Sequence, residues 1–237
     1  MENKLIVGNI KMNLKFGDIY GYLTNFENIN NPNLIICPSY LYIPYFLKYN
    51  FKVGSQDVCC SSSTSCTGEV SAEQLKSIGV SYTLVGHSER RQKLKETDID
   101  INKKIKNSLK ENIKVILCIG ETKEEKDLLK KDVVLKKQLM KALLDIDDIK
   151  NIIIAYEPVW SVGTNEVPSN KEITDTSNYI REIIFNKYHK DIKVLYGGSI
   201  NEKNIDKFNE IKNIDGYLIG SSSINPEKFI KIINKVL

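Results

Sequence analysis

The chain has 237 residues, of which 41% are hydrophobic and 27% charged, and its 34 basic and 30 acidic side chains leave a net charge of +4. That composition supports a sizeable core and excludes intrinsic disorder. The charge is too weak and too dispersed to point to nucleic acid, and no apolar run is long enough to span a membrane.

The first residues enter a strand-like run at once, which predicts that no leader peptide precedes the fold. Five cysteines without regular spacing argue against a disulfide framework and for a reducing, cytoplasmic setting. Cys37 and Cys118 end apolar runs and are expected to be buried thiols. Cys59, Cys60 and Cys66 fall in a polar loop. With only His87 and His189 available and no C-x-x-C spacing, no metal site is expected.

Taken in order, eight short apolar runs punctuate the chain: Leu5–Val7, Leu34–Cys37, Phe51–Val53, Tyr82–Val85, Val115–Ile119, Ile152–Ala155, Val194–Tyr196 and Tyr217–Ile219. Each is followed by a segment with apolar residues at helical spacing, such as Ile99, Ile101, Ile105 and Leu109, or Ile173, Ile180 and Ile184. Lys and Glu fill the other faces. The densest such run, Glu121–Asp132, reads as solvated helix surface. Strand–helix repetition implies right-handed crossovers and a parallel sheet. Eight units with no linker between them predict a closed (β/α)₈ barrel forming a single domain over 1–237.

Function in such a barrel belongs to the loops after the strands. The first, Gly8-Asn-Ile-Lys-Met-Asn13, carries Lys11. After the fourth strand comes Gly86-His-Ser-Glu-Arg-Arg91, where Ser88 and Glu89 favour a helix start whose dipole would keep His87 neutral. The fifth ends in Cys118-Ile-Gly-Glu121. Glu157 follows the sixth strand directly, and a carboxylate there costs free energy unless it has partners or a task. Pro158-Val-Trp-Ser-Val-Gly-Thr164 is then a loop able to close over a ligand and bury Val159, Trp160 and Val162. Tyr196-Gly-Gly-Ser-Ile200 and Gly220-Ser-Ser-Ser223 are glycine–serine turns that can aim N–H groups at an anion, and their place after strands seven and eight matches the phosphate site of this architecture. Singly, each of these features also reads as a surface lysine, a structural imidazole or a plain turn.

Together they make a set: one carboxylate, one imidazole, one ammonium and a phosphate cradle. Neither a G-x-S-x-G nucleophile nor a nucleotide loop is present. The set suits proton abstraction beside a carbonyl in a small phosphorylated substrate. Glu157 would be the base, His87 the electrophile and Lys11 the cation facing the developing anion. Moving a proton between adjacent carbons needs no cofactor. Two other readings fit a barrel: an enzyme acting on a phosphoribosyl or indole substrate, which asks for a larger pocket, and a barrel serving only as a scaffold.

The chain resembles the triosephosphate isomerases over its whole length. The segments that carry the resemblance are Gly8–Asn13, Thr67-Gly-Glu-Val-Ser71, Val85–Arg91, Cys118–Glu121, Ala155-Tyr-Glu-Pro-Val-Trp160, Gly163-Thr164 and Tyr196-Gly-Gly-Ser199. It implies conversion of D-glyceraldehyde 3-phosphate to dihydroxyacetone phosphate in glycolysis and gluconeogenesis. Glu157 and His87 become the catalytic pair, Asn9 and Lys11 bind substrate, and Glu89 pairs with Lys11. Backbone N–H groups of Gly163, Ser199, Gly220 and Ser221 would hold the phosphate. It also implies a homodimer, in which the long loop Gln56–Glu69 inserts into the partner and brings Thr67 toward the partner's active site. The chain departs from the family pattern at three places. Ile10 stands where Trp is usual, Ser221 replaces the second glycine of a pair, and Cys66 takes the place of an aromatic before Thr67.

Overall fold

The computed structural model describes residues 4–164 and 166–237. Strand and helix alternate along the chain. β1 (Leu5–Asn9) leads to α1 (Phe16–Thr24), β2 (Leu34–Cys37) to α2 (Ile43–Phe46), and β3 (Lys52–Ser55) to α3 (Ala72–Ser77). β4 (Tyr82–Val85) is followed by α4 (Ser88–Lys93) and α5 (Asp98–Lys110), and β5 (Lys114–Ile119) by α6 (Lys123–Asp127) and α7 (Lys131–Ala142). β6 (Ile152–Tyr156) precedes α8 (Asn170–Tyr188), β7 (Lys193–Tyr196) precedes α9 (Ile205–Asn209), and β8 (Gly216–Ile219) precedes α10 (Ser221–Ile224) and α11 (Pro226–Val236).

All eight apolar runs are strands, paired in parallel in sequence order, and β8 returns to β1 to close the barrel. β2 and β4 have the expected ends, and the other six strands differ by one or two residues at an end. The third begins at Lys52 rather than Phe51 and runs on to Ser55, because register with β4, Gly54 beside Tyr82 and Ser55 beside Thr83, sets its limit rather than apolarity. Helix starts follow local chemistry: Ser71, Thr97, Thr122 and Ser169 each cap a helix reciprocally with the side chain three residues on.

The strands divide two cores between their faces. Inside the barrel, Leu5, Val7, Ile35, Tyr82, Leu84 and Ile116 head one buried cluster that also holds the thiols of Cys37 and Cys118. β3 adds no side chain to it, since a Cβ on Gly54 would come within 2.6 Å of Cys37 Sγ. Outside the barrel, the alternate residues pack under the helices, with Ile101, Ile105, Ile173, Ile180 and Ile184 buried as their spacing predicts.

Three expectations are corrected here. Ile99, in the first turn of α5, is 67% exposed, one position off the buried stripe. Cys59 is buried although its loop is polar, while Cys60 and Cys66 are half-buried. Charge is not confined to solvated faces either. Lys104 on α5 is only 3% exposed and lies 2.7 Å from Asp57; Arg90 reaches Asp57 at 2.8 Å and Glu96 at 3.3 Å, and Lys104 also pairs with Glu96. These four side chains form a ring that ties the loop after β3 to α4 and α5. Among the described residues, no helix is long and apolar enough to cross a membrane.

Candidate active site

Asn9, Lys11, His87, Glu157, Gly163, Ser199, Gly220 and Ser221 all line one cavity at the carboxyl end of the barrel. The cavity holds about 440 Å³ when the open solvent at its mouth is included. Each residue is brought there by the strand it follows, so residues far apart in sequence meet.

Glu157 sits one residue past β6, buried, with its N–H donating to the Ile119 carbonyl at 2.8 Å. Gly120 makes this possible, because any Cβ there would strike the Glu157 carbonyl. Oε1 lies 3.2 Å from His87 Nε2, and the Ser88 N–H reaches Oε2 at 3.4 Å. Burial pushes the carboxyl pKa up, but His87, the Ser88 amide and the Cys118 thiol together hold it below the usual glutamate value. Glu157 is therefore a carboxylate at neutral pH.

His87 caps α4: the Glu89 N–H donates to its Nδ1 at 3.2 Å. An N–H aimed at Nδ1 requires a lone pair there, which leaves the proton on Nε2, facing Glu157. Burial lowers the His87 pKa, yet the adjoining carboxylate outweighs it, so the net shift is upward in the unliganded pair. This modifies the expectation of a ring kept neutral by the helix alone. The helix amide selects the tautomer, and Glu157 raises the pH at which the ring becomes neutral.

Lys11 lies in the left-handed region, at φ 55°, a conformation that costs a non-glycine residue about 1–2 kcal/mol. Asn9 Oδ1 accepts the Lys11 N–H at 3.1 Å, and Gln56 Nε2 donates to the Lys11 carbonyl at 2.9 Å. That backbone turns the ammonium inward, 3.2 Å from Glu89 Oε1 and across Gly220, where a Cβ would sit 3.4 Å from Lys11 Cε. Burial raises the Glu89 pKa and the Lys11 charge more than offsets it, leaving Glu89 ionised.

On the other wall, Ser221 begins α10, where first-turn amides have no intrahelical acceptor. Its backbone avoids positive φ, so the serine Cβ is accommodated where the family pattern has glycine. Ser199 Oγ donates to the carbonyls of Ser161, at 2.6 Å, and Thr164. Ser161 Oγ in turn donates to the Glu166 carbonyl at 2.8 Å. These bonds tie the segment after Glu157 to the turn at Ser199, with Val162 and Gly163 in the cavity wall.

Thr67 is the exception. It lies exposed in a turn of the loop after β3 and does not line the cavity of its own chain. Near the site, one residue went unread in the sequence and another was quoted at a strand end yet assigned to a solvated face. Gln56 belongs to no motif, and nothing short of the fold shows that it reaches Lys11. Glu121, read as the start of a solvated charge run, is instead fully buried and accepts from Trp160 Nε1 at 2.8 Å and Tyr156 OH at 3.1 Å. Its adjacency to a buried strand end was the available signal.

Fold and site together define a (β/α)₈ barrel with a buried carboxylate–imidazole pair and an inward-facing ammonium beside an amide-lined cavity. The family model described as triosephosphate isomerase matches residues 4–236. Proteins named triosephosphate isomerase from Alkaliphilus oremlandii and Malacoplasma penetrans are 36% and 38% identical to it, over 99% and 97% of this chain and 100% and 97% of their own. One from Buchnera aphidicola is 38% identical over 99% of both chains. The chain belongs to the triosephosphate isomerase family.

Proposed function

We propose that the chain interconverts D-glyceraldehyde 3-phosphate and dihydroxyacetone phosphate through an enediolate. The observation that carries this reading is the meeting of Glu157, His87 and Lys11 at one cavity whose opposite wall is Gly163, Ser199, Gly220 and Ser221. Bound through its phosphate to those amides, the substrate would put its carbonyl oxygen where His87 Nε2–H now meets Glu157. The freed carboxylate takes a proton from the carbon beside the carbonyl, His87 and Asn9 donate to the oxygen, and the Lys11 ammonium faces the negative charge as it forms. Once Glu157 is protonated, the main group raising the His87 pKa has lost its charge, while burial and Lys11 still lower it, which favours a neutral donor. The hydroxyl proton passes from one enediol oxygen to the other by way of His87, and Glu157 returns its proton to the neighbouring carbon, so that carbonyl and hydroxyl exchange places. The loop over the cavity keeps water away from the enediolate.

A coupled assay from glyceraldehyde 3-phosphate tests this directly. Glu157→Gln should lower kcat by about 10²–10⁴-fold without loss of fold or phosphate affinity, and Glu157→Asp should be severely impaired. Near-normal turnover in either variant would assign the base elsewhere.

A homodimer is part of the same reading. The loop after β3 exposes Ser62–Ser65 and Thr67–Glu69; Met12, beside Lys11, is 94% exposed, and the Phe16–Tyr45 aromatic pair is exposed as well. Apolar surface so close to a strained active-site lysine is best explained by cover from a second copy. Sedimentation equilibrium should give a dimer at micromolar concentration, and a fully active monomer would refute it. Five free cysteines suit operation in the cytoplasm.

A further inference from the structure

The loop from Pro158 to Pro168 is held at its two ends by a contact that the chemistry above does not use. Trp160, at the entrance, donates its indole N–H to Glu121. The face of the same ring is covered by Lys126 of α6, whose Nζ stands 3.4 Å from the ring centroid. Lys126 Nζ is also 3.5 Å from Glu172 Oε1. The other oxygen of that carboxylate, Oε2, accepts from the Ser169 N–H at 2.8 Å and the Ser169 hydroxyl at 2.9 Å. Ser169 is the N-cap of α8 and the first residue past the loop.

One ammonium therefore faces the aromatic ring at the loop's entrance and, through a single carboxylate, the cap at its exit. An ammonium over an indole face is attracted by the ring quadrupole, and indole is the best of the aromatic acceptors. The same cation is tied to Glu172, so its place over the ring depends on the loop's exit. A hydrophobic neighbour would cover the ring without linking the two ends. A lysine free in solvent would link nothing.

We propose that Lys126 is a positioning residue that brackets the two ends of this loop and sets how well its amides are presented to a bound phosphate. The proposal rests on the reading of segment 158–168 as a phosphate-covering loop. It makes no claim on the proton-transfer groups. The ammonium acts through Trp160, so its loss changes ligand affinity more than the chemical step.

Trp160 is the chain's one tryptophan, so intrinsic fluorescence reads the bracket itself. In the full-length protein, Lys126→Met removes the charge and keeps most of the stem, while Lys126→Arg keeps a cation. Lys126→Met should shift the Trp160 emission of the unliganded protein and increase its quenching by acrylamide. It should also weaken inorganic phosphate binding, measured by calorimetry, and raise KM for glyceraldehyde 3-phosphate, each about 2- to 5-fold, with kcat changed less. Lys126→Arg should bring all four back toward the wild type. If the methionine variant does not fold, Lys126→Gln takes its place. A folded variant with unchanged emission, quenching and phosphate affinity overturns the proposal, as does an arginine variant that restores none of them. Should the wild type fail to isomerise triose phosphates, the catalytic reading falls while the phosphate titration still decides the bracket.

Discussion

Gln56 donates to the carbonyl of Lys11 at 2.9 Å, and the same amide nitrogen donates to the carbonyl of Cys37, also at 2.9 Å. A residue just past β3 thus fastens the ends of β1 and β2. The bond to Lys11 matters most, because it holds a lysine in a backbone conformation that it would otherwise leave.

Gln56→Leu should release that backbone while keeping the side-chain volume. A displacement of about 1 Å at a reacting group costs up to roughly 100-fold, so kcat/KM should fall about 10- to 100-fold. Measured thermal stability should change little, since Gln56 is only half-buried. An unaltered kcat/KM would show that Asn9 alone suffices to hold Lys11.

Ser221 offers a test in which fold and binding separate. It occupies the first position of α10, where proline is well tolerated because the φ angle already suits it. Ser221→Pro should therefore fold, yet it removes one N–H donor and should raise KM for the phosphorylated substrate by about tenfold, as for loss of a hydrogen bond to a charged group. Ser221→Gly keeps the donor and should stay within about twofold. Steady-state kinetics on the pair decides, and a proline variant with unchanged KM places the phosphate elsewhere.

The buried ring of Asp57, Arg90, Glu96 and Lys104 predicts a large penalty for breaking it on one side. Lys104→Met would leave two carboxylates with one cation between them in a buried site. Removing one partner of a buried ion pair costs about 3–5 kcal/mol, which chemical denaturation would register as a clear loss of stability. A loss below about 1 kcal/mol would mean that water reaches the ring.

Glu121 gives the pH dependence. Burial drives its pKa above the ordinary glutamate value, despite the opposing bonds from Trp160 and Tyr156. A carboxyl whose folded pKa exceeds its unfolded one stabilises the fold fully below the unfolded value, about 4.3. That contribution is lost as pH rises through the folded pKa. Glu121→Gln stays neutral throughout, so its melting temperature relative to the wild type should climb as pH rises above about 4.3. A difference that stayed flat with pH would show that Glu121 titrates normally.

Much of this was legible in the residues. A strand buried on both faces needs an unbroken apolar run, and Ile152–Ala155 or Val115–Ile119 can hardly be anything else between amphipathic segments. Glu157, His87 and Lys11 were readable because each stands directly after such a run, where barrel geometry leaves one place to go. What escaped is what depends on pairs distant in sequence. Lys104 sits among lysines that do face water, and its burial is tolerable because Asp57, 47 residues away, and Glu96 both face it. Glu121 was lost in a run of charges because a single position separates the barrel's buried rim from the solvated helix after it.

Closure of the barrel also carries a consequence for how the chain is made. The outer edge of β1 finds its partner only when residues 216–219 of β8 arrive, about 200 residues later. At roughly 5–20 residues per second of synthesis, that edge waits on the order of 10–40 seconds with its peptide groups unpaired. Through that interval the nascent chain presents an apolar open strand to anything nearby, so its hazard of sticking to a neighbour is greatest on the ribosome and ends with the last strand.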